Sequence, residues 1–254
     1  MSAAPPADSR RAVGSSSLAR WGAFRVGVGG PVGSGKTALI ETLVPRLVAE
    51  GRSVVIITND IITREDEHHV KAALAGVLEA DRIVGVQTGT CPHAAVREDP
   101  SMNLAVLGEL AALYPDAEYA FIESGGDNLT LTFSPELVDH SLFVIDVAGG
   151  DKVPRKRGIG LVQADLLIIN KVDLAPYVGA DLEVMARDSR LVRGERPFLF
   201  TDCRHGVGID AVLARLDAAR AAHAAEDGRS PARAGWSTDT HGHSHAADGS
   251  HRYP

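Results

Sequence analysis

One octapeptide limits the possible folds of this chain more than any other feature. Gly30-Pro-Val-Gly-Ser-Gly-Lys-Thr37 fits the pattern G-x-x-x-x-G-K-[ST]. It stands between an apolar run, Phe24–Gly29, that reads as a strand and a stretch, Lys36–Ala49, that reads as a helix. A strand that turns through glycines into a helix N-terminus forms a cradle of backbone N–H groups, with a partial positive charge behind it. The pattern therefore predicts a site for the phosphates of a nucleotide. Gly30, Gly33, Ser34 and Gly35 shape the loop. Lys36 is expected to reach the β- and γ-phosphates, and Thr37 to place its hydroxyl on Mg²⁺.

Further strands follow from apolar runs at Val54–Thr58, Ile83–Gln87, Tyr119–Glu123, Leu142–Val147, Leu166–Asn170 and Phe198–Thr201. Several lack alternation, as strands covered on both faces do. Helical spacing lies between many of them. Ile209, Val212, Leu213 and Leu216 recur at i, i+3, i+4 and i+7. Asp99-Pro100 reads as an N-cap and first-turn proline before a helix over Ser101–Leu113. Strands alternating with helices predict an α/β fold of the P-loop NTPase kind, a single domain with a mostly parallel central sheet and helices on both faces. That domain is expected over residues 23–224. Residues 1–22 are rich in Ala, Ser, Pro and Arg, and residues 225–254 in Gly, Ser and His. Both are expected to be disordered tails.

Other partners are excluded by charge and hydropathy. The formal net charge of -7 does not suit a general nucleic-acid binder. No apolar run reaches the roughly 18 residues of a membrane helix, and the N-terminal stretch lacks the apolar segment of a secretory signal. Two cysteines far apart, Cys91 and Cys203, do not form a disulfide framework. A soluble cytoplasmic protein is expected.

Asn170-Lys171-Val172-Asp173 ends an apolar strand, where nucleotide clefts open in such sheets. The Asp173 carboxylate matches the N1–H and exocyclic amine of guanine. Adenine offers no such pair of donors on that edge, so the motif favours GTP. Asp60, after Thr58-Asn59, and Glu123, before Ser-Gly-Gly-Asp127, are carboxylates at strand ends, suited to a cation or a water near the phosphates. Asp127 stays open between a turn and a ligand. Cys91-Pro92-His93 pairs a thiolate with an imidazole, a donor set for nickel, zinc or copper. Two such chains about a two-fold axis would complete an S₂N₂ site. His241, His243, His245 and His251 add a tract suited to weak Ni²⁺ or Zn²⁺ binding.

Taken together, these motifs resemble those of the urease accessory GTPases, the UreG family. The stretches that carry the resemblance include G-G-P-V-G-S-G-K-T (29–37), T-N-D-I (58–61), C-P-H (91–93), E-S-G-G-D-N-L (123–129) and N-K-V-D-L-A-P-Y-V-G-A-D-L (170–182). The resemblance spans roughly Phe24 to Leu216. It implies a homodimer formed with GTP and Ni²⁺, one Cys91 and one His93 coming from each protomer. Slow GTP hydrolysis would then release the metal toward apo-urease, among other urease accessory proteins. It also implies that Lys36, Thr37 and Asp60 serve phosphate and Mg²⁺, and that Asn170, Lys171 and Asp173 serve guanine.

The chain departs from the family in places. Gln87 and Thr90 stand in V-Q-T-G-T-C-P-H where the family has V-E-T-G-G-C-P-H, and Thr201-Asp-Cys-Arg replaces T-N-L-K. The family's glutamate at position 87 helps hold Mg²⁺, so Gln87 is expected to weaken that ion's binding. Two alternatives remain open. One is another metal-chaperone GTPase or a small-molecule kinase. The other is a nucleotide-gated metal store with weak hydrolysis.

Overall fold

The computed structural model describes residues 21–60, 65–88, 92–126 and 129–227. The elements are β1 (Phe24–Gly29), α1 (Lys36–Ala49), β2 (Val54–Asp60), α2 (Glu65–Ala73), β3 (Ile83–Gln87), α3 (Pro92–Val96), α4 (Ser101–Leu113), β4 (Tyr119–Glu123), β5 (His140–Asp146), α5 (Ile159–Gln163), β6 (Leu166–Asn170), α6 (Ala175–Val178), α7 (Leu182–Arg193), β7 (Phe198–Phe200) and α8 (Ile209–Asp227).

Seven strands form one sheet in the order β3-β2-β4-β1-β5-β6-β7, and every pairing between them is parallel. The β4 and β6 strands are buried at every residue, which explains why their sequences run apolar without alternation. The core lies on both faces of the sheet. On one face Leu39, Leu43 and Leu47 of α1, Val70 of α2, and Ile209, Val212 and Leu216 of α8 pack on Val26, Ile56 and Phe121. On the other, Val96 of α3, Leu107 and Leu110 of α4, Leu161 of α5 and Met185 of α7 pack on Ile57, Ile122, Ile145 and Ile169.

Several boundaries differ from those expected. The β2 strand runs on to Asp60 because its ladder with β3 continues through the Asp60–Gln87 pair. The β5 strand begins at His140 and ends at Asp146, where the Asp146 carboxylate accepts from the Gly149 N–H and starts a 3₁₀ turn. The β7 strand stops at Phe200. The Asp99 carboxylate does accept from the Ser101 N–H at 3.2 Å, but Pro100 occupies the cap position and Ser101 is the first helical residue.

All seven strands point the same way, so their C-terminal ends share one edge. β1 lies between β4 and β5, with strand order running outward to both sides of it. That reversal opens a crevice above the end of β1, where ligands bind in sheets of this kind. No described helix is long and apolar enough to cross a membrane.

Candidate functional site

The loop after β1 occupies that crevice. Gly30, Gly33 and Gly35 take φ of 143°, 75° and 98°. At Gly35 a side chain would also collide with the Asn170 amide, so only glycine fits there. Gly35 precedes the first residue of α1 and, as glycine, offers no side chain to cap that helix. Its first N–H groups are therefore left to the loop and to whatever binds in it. The Lys36 Nζ lies 3.2 Å from the Pro31 carbonyl, and the residue is only 6% exposed. A lysine so folded under its own loop keeps its charge within the cradle.

The β4 strand brings Glu123 to the same place. Thr37 Oγ1 donates to Glu123 Oε1 at 2.7 Å. Glu123 Oε2, Ser34 Oγ and Ser124 Oγ are buried and have no hydrogen-bond partner among the described residues. Burial pushes the Glu123 carboxyl up to about 7; the Thr37 hydroxyl and the Lys36 charge pull the other way, and Asp66 and Glu41 add to the rise. A buried carboxylate linked to the hydroxyl expected on Mg²⁺ fits a site for a hydrated cation, which would satisfy these oxygens. The backbone after Glu123 closes over the loop, for a side chain at Gly126 would strike Val32. Asp60 closes β2 next to β4, with its carbonyl held by the N–H and hydroxyl of Thr88. Gln87 is exposed and faces Asp60 across the β2–β3 ladder.

The base end is joined to the phosphate end through Asn170. Its Nδ2 donates to the Ser34 carbonyl at 3.2 Å, and its Oδ1 accepts from Thr201 Oγ1 and the Cys203 N–H. Lys171, in the left-handed region at φ 60°, donates to the Gly33 carbonyl and pairs with Asp146 at 3.3 Å. Asn170 and Lys171 thus position the loop. Asp173 lines the adjoining cleft with Gly35, Ala38, Asp202 and Arg204. The Asp202 and His205 side chains lie beside Asp173. Asp202 is already engaged as a loop brace: it accepts from the His205 backbone N–H and contacts that ring's Nδ1 at 2.5 Å.

Sequence reasoning did not assign roles to Asp146, Thr201 or Cys203. Asp146 does end a buried strand, the same signal that identified Glu123. Cys91 and Asp127 lie outside the described residues, as does the side chain of His93.

The nucleotide-binding domain of the CobW/HypB/UreG family matches residues 24–200. The urease accessory protein UreG 2 of Methylorubrum extorquens (strain PA1) is 64% identical over 189 residues, covering 74% of this chain and 88% of that one. UreG of Edwardsiella ictaluri (strain 93-146) is 61% identical over 190 residues, covering 75% and 91%. Among solved structures, hydrogenase maturation factor HypB from Archaeoglobus fulgidus aligns with a TM-score of 0.63 at 24% identity, over 81% of this chain and 94% of that one. HypB from Helicobacter pylori, solved with nickel, aligns at 0.66 and 17%, over 80% and 90%. At these identities the two structures support the fold alone.

Proposed function

Because the chain belongs to the CobW/HypB/UreG nucleotide-binding family, and within it to the urease accessory proteins UreG, we propose that it binds and hydrolyses GTP as a homodimer and uses that cycle to deliver Ni²⁺ to apo-urease with other accessory proteins. The observation that carries the nucleotide half is the Asn170 amide. It ties the phosphate loop at Ser34 to the segment at Cys203 that lines the Asp173 cleft, so phosphate and base are read by one connected unit.

The residues divide the work as follows. Lys36 and the N-terminus of α1 balance charge on the β- and γ-phosphates. Thr37 and Asp60 would hold Mg²⁺, which would supply further neutralisation of those oxygens. Glu123 orients water: its Oε1 is committed to Thr37, and its Oε2 is buried without a described partner. Asp173 selects guanine. Cys91 and His93 are the proposed nickel ligands, two per protomer, with Zn²⁺ as the competing ion. The domain is taken as 23–224, although α8 runs on to Asp227 and the Trp21 indole N–H donates to the Tyr114 carbonyl at 3.1 Å, and the protein as cytoplasmic.

The test is nickel affinity and particle mass in solution, with and without Mg²⁺ and a non-hydrolysable GTP analogue. It compares the wild type, Cys91→Ala, and a variant with His241, His243, His245 and His251 replaced by Ala. Nucleotide-dependent dimerisation that needs Cys91 and survives loss of the tail histidines supports the proposal. Nickel binding that follows the tail and ignores nucleotide refutes it, and would favour a metal store.

A further inference from the structure

Two buried asparagines lie between the two halves of this switch, and the nucleotide chemistry described above does not use them. Asn59 is the penultimate residue of β2 and Asn103 lies in the first turn of α4; both are 0% exposed. Their side-chain amides pair reciprocally. Asn59 Nδ2 donates to Asn103 Oδ1 at 3.1 Å, and Asn103 Nδ2 donates to Asn59 Oδ1 at 2.9 Å. Each amide has one donor left. Asn59 gives its second to the backbone carbonyl of Glu123 at 2.9 Å. Asn103 gives its second to the backbone carbonyl of Ala95 at 2.8 Å.

The two outer partners are what matter for function. Glu123 holds the hydroxyl of Thr37. Ala95 belongs to α3, whose first two residues are Pro92 and His93, directly after Cys91. A path therefore runs from Thr37 to the Glu123 carboxylate, through the covalent frame of Glu123 to its backbone carbonyl, and on by hydrogen bonds through Asn59 and Asn103 to the short helix of the C-P-H motif. All four N–H groups of the pair are in use. In a dry interior such a fully satisfied network is stiff, because moving one carbonyl leaves a buried donor unpaired unless the rest follows. Apolar side chains would hold β2 and α4 together as well, but would not bind a carbonyl at each end.

We propose that the Asn59–Asn103 pair couples the nucleotide site to the C-P-H metal motif, so that occupancy at Thr37 and Glu123 resets α3. These are positioning residues, and the inference rests on the GTP and nickel assignments made above. A pin that merely stabilised the fold would change melting temperature and leave the linkage between ligands intact.

That linkage is the readout. Nickel affinity is measured by chelator competition at fixed protein concentration, with and without Mg²⁺ and the non-hydrolysable GTP analogue. The affinity of the analogue is measured with and without Ni²⁺, since the two ratios must agree. Full-length wild type is compared with Asn103→Ala, Asn103→Ser and the control Leu107→Ala, a fully buried residue one turn further along α4. Wild type is expected to show a nucleotide-dependent gain of roughly 5–150-fold, the usual span of such coupling. Both Asn103 variants should drop to within about threefold of no gain, whereas Leu107→Ala should melt earlier and keep the wild-type ratio. Asn103 variants that retain the full ratio overturn the relay and leave the GTP–nickel reading standing. A wild type without any gain overturns that reading and the relay with it. Should the Asn103 variants fail to fold, amide hydrogen exchange on wild type decides. Protection over residues 92–104 must change when Mg²⁺ and the analogue bind without nickel, and an unchanged pattern refutes the coupling.

Discussion

Replacing Glu123 by Gln removes one ionisable group from the end of the buried β4 strand and keeps the side chain's shape. Glu123 is 2% exposed, and burial raises its carboxyl from the ordinary 4.5 to about 7. The folded protein therefore keeps a proton that the unfolded chain gives up from about pH 4.5. Native protein binds more protons than unfolded protein in that window, so stability falls as pH rises through it. The favourable contribution is intact below 4.5, declines between 4.5 and about 7, and is flat above. At about 1.4 kcal/mol for each pH unit between the two values, the loss amounts to about 3 kcal/mol. The glutamine keeps an acceptor for the Thr37 hydroxyl and never ionises. Urea unfolding of nucleotide-free, metal-free protein from pH 4.5 to 8 measures the effect. Groups common to both proteins cancel, so the stability of Glu123→Gln relative to wild type should grow by about 3 kcal/mol across the range. A difference that stays constant with pH to within about 0.5 kcal/mol would show that Glu123 is not held protonated, and that the burial argument is wrong.

Further predictions follow from other contacts. Gly35→Ala forces a side chain into φ 98° and against Asn170; nucleotide affinity should fall at least tenfold by calorimetry, with a stability loss of about 1–3 kcal/mol. Arg193 is 4% exposed and donates to the carbonyls of Leu161, Ala164 and Pro197, and burial lowers its guanidinium to about 10, still charged at neutral pH. Arg193→Met strands those acceptors and should cost about 3 kcal/mol in denaturant melts without altering the guanine preference. Gln87→Glu sets a carboxylate opposite Asp60 and should raise Mg²⁺-dependent GTP hydrolysis; an unchanged rate would mean that position 87 does not influence the cation. Burial pushes the Cys203 thiol up to about 11. Alkylation of Cys203 at pH 8, followed by peptide mass, should therefore run about 100-fold slower in folded than in urea-unfolded protein.

Much of this architecture is legible in the sequence. Phe24–Gly29, Ile83–Gln87, Tyr119–Glu123 and Leu166–Asn170 form strands with the expected limits; the last two are buried at every residue, and a strand covered on both faces is written as a run without alternation. The loop from Gly30 to Thr37 was legible for a similar reason. Its chemistry depends on backbone N–H groups and on a helix start that follows immediately in the chain. Where limits moved, as at Asp60 and His140, the cause was a neighbouring strand that extended the ladder. The presence of that neighbour is not a local property.

Within the site the same division holds. Lys36, Thr37 and Asp173 are candidates because each sits at a fixed offset within a short motif. Asn170 and Lys171 are candidates for the same reason, but their contacts to the loop are not written locally. They brace Ser34 and Gly33, residues more than a hundred positions earlier. The pairing of Asn59 with Asn103 left no mark in the sequence, since nothing local joins two amides 44 residues apart. The sequence by itself determined that this chain folds as a P-loop α/β protein and where its glycine-rich turn into a helix lies, because periodicity and turn chemistry act over a few residues. Only the tertiary structure decided which buried polar groups complete one another, such as Thr37 with Glu123 and Asn59 with Asn103. A buried donor must find its acceptor wherever the packed sheet brings one within about 3 Å.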